Sequence, residues 1–161
     1  MRNHINSAET YFQIEHSIDF SEDSSTSWGA NGNTDCSDAL DELESDVNWA
    51  SVSANSDILI GFTTVQLTFV DPVDGLTKNA NACTRSPYGS TSSPVIVVGV
   101  GSSDFPRTIM HELTHDYNMG HETATCTTQI PNVMASGCVS QYVKNWNPSQ
   151  DTNMENRRTW Y

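Results

Sequence analysis

His111, His115 and His121 are spaced so that three imidazoles could meet at one metal ion. Residues four apart on a helix share a face, so a helix through His111-Glu112-Leu113-Thr114-His115 sets two rings side by side. Glu112 lies about 100° further round such a helix, where it can reach a water beside the metal without being a ligand. A catalytic zinc needs three protein ligands and one open position. His121 is too far along a straight helix to serve the same ion, so the chain must break and turn back between Asp116 and His121. A turn of this kind favours positive φ. Asn118 tolerates that conformation better than most residues, and Gly120 is close by.

The elements that must position these residues can be read from the patterning. Ser103-Asp104-Phe105-Pro106 joins a capping residue to an early-turn proline, which starts a helix expected to run to about Tyr117. Residues 94–100 are a fully apolar run of strand length, expected as a central strand. Residues 57–70 are rich in β-branched and apolar types and are followed by Asp71-Pro72 and Asp74-Gly75, so one or two strands are expected there. The polar residues 76–93 read as an irregular or edge segment. Thr34 or Asp35 can cap a helix with Leu40, Leu43, Val47 and Ala50 on one face. Residues 11–20 alternate through Phe12, Ile14, Ile18 and Phe20 as a half-buried strand does, and a polar loop follows through Asn33. A last helix is expected from Asn147-Pro148 toward Arg158. Strands followed by helices imply an α+β or α/β domain with a mixed sheet.

The 161 residues suit one domain with a real core. Seven Lys and Arg against twenty Asp and Glu give a net charge of -13, which disfavours nucleic acid and anionic lipid as partners. No run approaches the ~20 apolar residues of a membrane span. The opening Met1-Arg2-Asn3-His4-Ile5-Asn6 lacks the apolar core of a signal peptide. Cys36, Cys83, Cys126 and Cys138 allow three disulfide pairings, and none lies in a C-x-x-C. An even cysteine count in a small chain favours disulfides and an extracellular, secreted setting. His4 and His16 are isolated and read as ordinary histidines.

The segment from His111 to His121 resembles the metzincin signature H-E-x-x-H-x-x-G-x-x-H, with Asn118 where the family has Gly. Pro131-Asn132-Val133-Met134-Ala135 follows a short loop later and is similar to the family's Met-turn, with Met134 as its methionine. Ser136 stands where astacin-like and serralysin-like members carry a Tyr. The adamalysin (reprolysin) branch is the more similar one, through Met119 and through Cys83-Thr84-Arg85-Ser86-Pro87-Tyr88-Gly89. Thr114, Asn118 and Glu122 depart from it.

The resemblance implies a zincin-like α+β fold: a twisted mixed sheet packed on the active-site helix, and a C-terminal subdomain holding the Met-turn and a last helix. It implies one metallopeptidase catalytic domain over residues 1–161, monomeric, with Zn2+ on His111, His115 and His121. On that match residues 12–20 correspond to the family's second strand and 35–50 to the helix after it. A first strand and first long helix are then either missing from an abbreviated fold or lie upstream. Protein or peptide substrate would bind extended along an edge strand, with residues 86–92 as candidates. The helix of His111 and residues 135–139 would wall the pocket for the residue after the cut. A Cys126–Cys138 bridge would fix the floor of the site, leaving Cys36 with Cys83.

The implied activity is a zinc-dependent endopeptidase in which a zinc-bound water attacks the peptide carbonyl. Glu112 is the general base that then protonates the leaving amine. The alternative is a weak or inactive zinc-binding module of the same type that acts as a protein-binding domain. Two further readings take Glu155 as the third ligand in place of His121, or add Cys126 as a fourth ligand in a closed structural site.

Overall fold

The computed structural model describes residues 2–16, 24–29, 32, 34–52, 57–85, 94–99, 105–117, 119–121, 133–134, 146 and 148–157. In chain order these form α1 (Arg2–His16), α2 (Cys36–Asp46), α3 (Trp49–Val52), β1 (Leu59–Phe62), β2 (Leu67–Val70), β3 (Thr77–Ala80), β4 (Ala82–Arg85), β5 (Val95–Val98), α4 (Phe105–Asp116) and α5 (Pro148–Arg157). The class is α+β, with a small mixed sheet and several helices. Contacts along the chain gather into two compact units, Met1–Ser21 with Asp104–Tyr161, and Glu22–Ser103.

The unit of residues 22–103 is built on β5. All four of its side chains are buried, and it lies between β1, which is parallel to it, and β4, which is antiparallel. The expected central strand is therefore central. α2 starts where Asp35 caps it, the carboxylate accepting from the Ser37 amide at 2.8 Å. Its Ala39, Leu40 and Leu43 join Leu67, Cys83, Val95 and Val97 in one apolar core. Gly61 makes the approach possible: a Cβ there would stand 2.5 Å from a Leu43 methyl. The expected helical face ran on to Ala50. α2 instead ends at Asp46 because Asn48 takes a left-handed backbone (φ 51), and a short α3 follows in which Ala50 is exposed.

Two strands occupy most of residues 76–85, which composition marked as irregular or edge. β3 pairs antiparallel with β2 across the Asp71–Gly75 turn, and β4 is an edge strand of the three-stranded sheet. The polarity of β3 reflects exposure, since three of its four residues face solvent. Cys36 and Cys83 meet at disulfide distance, with Cα atoms 5.8 Å apart, and so tie the start of α2 to β4. Arg85 repeats the link one turn along, pairing with Asp41 at 2.7 Å and Glu44 at 3.0 Å.

The other unit contains α1, α4 and α5, and here one expectation is corrected. Residues 11–16 are helical, not a strand; the rest of the segment, 17–20, lies outside the described residues. The helix is set by residues upstream of the alternating window. Ile5, Ala8 and Phe12 recur at intervals of three and four, and Ala8 and Phe12 are fully buried. This removes the basis for matching 12–20 to a family strand. The Phe12 ring lies edge-on to Trp146 at 4.9 Å and tilted against Tyr117 at 6.4 Å. α5 begins at Pro148, as expected, and buries Gln150 and Met154 on one face. Among the described residues no helix is long and apolar enough to cross a membrane.

Candidate metal centre

α4 runs over Phe105–Asp116 with Pro106 in its first turn. Ile109, Met110 and Leu113 bury its apolar face. The helix stops where expected. The Tyr117 amide reaches back to the Thr114 carbonyl (3.2 Å), a tight final turn, and the chain then leaves the helix through Met119 and Gly120 to His121. Gly120 is exposed and does not adopt positive φ; among the described glycines that belongs to Gly32 and Gly75. Gly120 therefore does not supply the positive φ expected of the turn. Asn118 lies outside the described residues.

The break returns His121 to the two helix histidines. The Nε2 atoms of His111 and His121 are 2.9 Å apart, and that of His115 is 3.2 Å from each. Among the described residues these three histidines form a group able to hold a metal ion, and Glu155 is not part of it. Two backbone carbonyls fix the outer nitrogens: His111 Nδ1 lies 2.8 Å from the Val133 oxygen and His115 Nδ1 2.7 Å from the Met119 oxygen. A carbonyl only accepts, so both Nδ1 atoms carry the proton and donate. Each Nε2 of a neutral ring then presents a lone pair to the centre.

Lone pairs 3 Å apart repel, and a cation between them removes the conflict. A tetrahedral ion with metal–nitrogen bonds of about 2.0–2.1 Å places its ligands about 3.3 Å from one another, close to the spacing found here. The donor set and its geometry fit a divalent metal that accepts imidazole. Electrostatics agree. Burial, opposed by the Val133 hydrogen bond, pushes the His111 imidazole down to about 3, and burial also lowers His115 and His121. The rings are therefore neutral at physiological pH, the form that ligates.

Glu112 follows His111 on α4 and is 8% exposed. Met134 is fully buried in a turn with Val133, whose carbonyl holds His111, so the segment expected as a Met-turn contributes a backbone acceptor to the centre. Thr114 lies between the two helix histidines. Its hydroxyl donates to the Met110 carbonyl (2.6 Å) and accepts from the Trp146 indole (2.8 Å). The Val133 and Met119 carbonyls and the Thr114–Trp146 bond were not singled out from sequence. Any residue has a carbonyl, and no local pattern marks which one will face an imidazole. Cys126, Cys138, Ser136, Glu122 and the stretches 86–92 and 135–139, expected to line a substrate site, lie outside the described residues. No model of a known protein family matches the chain, and no curated protein matches it.

Proposed function

We propose that this chain is a zinc-dependent endopeptidase of the metzincin type, most similar to the adamalysin branch. The observation that carries the reading is the convergence of three imidazole nitrogens at 2.9–3.2 Å, two of them with their outer proton committed to a backbone carbonyl. Glu112, next to the first ligand on a largely buried helix, supplies the proton-handling group that a structural site does not need.

His111, His115 and His121 would hold the zinc, which supplies a Lewis acid beside the scissile carbonyl and makes a nearby water more acidic. The Glu112 carboxylate accepts the proton of the attacking water and returns it to the leaving amine, so it ends the cycle ionised as it began. The Val133 and Met119 carbonyls keep His111 and His115 in the Nδ1-protonated tautomer throughout. An extended peptide or protein is the substrate class that the resemblance supports, and a secreted setting accords with the Cys36–Cys83 pair.

The test compares wild type with Glu112→Gln for zinc content and for cleavage of casein or a quenched peptide. One zinc in both proteins is expected, with cleavage by the variant reduced by about 10²–10⁴-fold. Equal cleavage by the two would refute the mechanism. Zinc in both and cleavage in neither would favour a binding module.

A further inference from the structure

Resting on the metal-site reading above, we infer that Arg107 is a positioning residue for the metal centre, holding the Val133 carbonyl to which His111 is anchored. The guanidinium Nη2 of Arg107 donates to the Val133 oxygen at 3.4 Å, while His111 Nδ1 donates to the same oxygen at 2.8 Å. Arg107 and His111 are four residues apart on α4, so both side chains project from one face. The shorter imidazole contact is the primary bond, and the guanidinium adds an ion–dipole hold on the same oxygen.

The two donors have different jobs. The imidazole needs the carbonyl in one place, because the direction of the Nδ1–H bond sets the direction of the Nε2 lone pair. That carbonyl belongs to a turn remote in sequence from α4, so its position has to be fixed by something other than the imidazole itself. Arg107 does this from the same helix as the ligand. Its half-buried side chain keeps a permanent charge and a planar fork, which lysine's single ammonium does not reproduce. Loss of the guanidinium frees the Val133 carbonyl to shift, and the His111 ring turns with it.

The experiment uses the full chain as wild type, Arg107→Met, Arg107→Lys and Phe12→Leu. Phe12→Leu is the control for general loosening, since Phe12 packs on Tyr117 and Trp146. Three quantities are measured: zinc affinity by competition with a chromophoric chelator, the ligand-field spectrum of the cobalt-substituted protein, and urea unfolding of the metal-free form. Arg107→Met should lower zinc affinity about 10–100-fold and alter the cobalt spectrum, as loss of an outer hydrogen-bond partner does at other metal sites. Arg107→Lys should recover part of the affinity. Phe12→Leu should lower the unfolding midpoint and leave the cobalt spectrum unchanged. Wild-type affinity and spectrum in Arg107→Met, or equal losses in Phe12→Leu, overturn the inference while leaving the metal site in place. Failure of wild type to bind zinc overturns both.

Discussion

The indole N–H of Trp146 donates to the hydroxyl of Thr114 at 2.8 Å, one residue before the metal-ligand candidate His115 on α4. Thr114 is fully buried and Trp146 nearly so, which makes the bond expensive to break. Thr114→Val keeps the shape, removes the acceptor and strands a buried indole N–H, and should cost about 1–3 kcal/mol. Thr114→Ser retains the hydroxyl and should restore most of the loss attributable to the hydrogen bond. Chemical unfolding of the two variants checks this, and equal stability would show that the hydroxyl contributes nothing.

Joining Cys36 to Cys83 closes a long loop, the two being 47 residues apart in sequence. The Cys36→Ser, Cys83→Ser double variant should therefore lose about 2–4 kcal/mol in urea unfolding. Arg85, paired with Asp41 and Glu44 across the same contact, is partly exposed and should contribute far less. A non-reducing digest should release the two segments as one linked fragment; separate fragments would disprove the pairing.

Metal-free protein should be acid-sensitive above the carboxylate range. Burial holds the His111 imidazole at about 3 in the folded chain, against 6.5 for a free histidine. Between those values the unfolded chain binds a proton that the folded one refuses, so stability falls as pH drops from about 6.5. His115 and His121 are lowered in the same direction and add to the effect. Urea midpoints at pH 8 and pH 5.5 should thus differ more for wild type than for a variant with all three histidines changed to alanine. An equal difference would mean that the partly buried His111 and His115 stay protonatable in the folded chain.

Most of what positions the centre was legible because it is local. The His111-to-His115 interval, the Pro106 start of α4 and the break before His121 are each set by residues within about one turn of one another. The strand at Val95–Val98 was legible for a different reason: a strand covered on both faces is apolar at every position. Sequence pattern and structure part where a short window hides the true period or where exposure masks a strand. Phe12 and Ile14 mimic strand alternation until Ile5 and Ala8 extend the period to that of a helix. β3 is polar because it is exposed, and composition alone cannot separate such a strand from a loop. The carbonyls of Val133 and Met119 were not legible at all, since their role depends on a fold that brings residues 22 and 4 positions away against an imidazole.

In the proposed centre, His111, His115 and His121 bind one metal through Nε2. X-ray absorption of the zinc-loaded protein, with His121→Ala alongside, reads that ligand set from the metal itself. One zinc per chain is expected in wild type, with three imidazole nitrogens at about 2.0–2.1 Å and no sulfur, and a site that loses one of those imidazoles in the variant. A sulfur ligand at about 2.3 Å, or an unchanged imidazole count in His121→Ala, would contradict it.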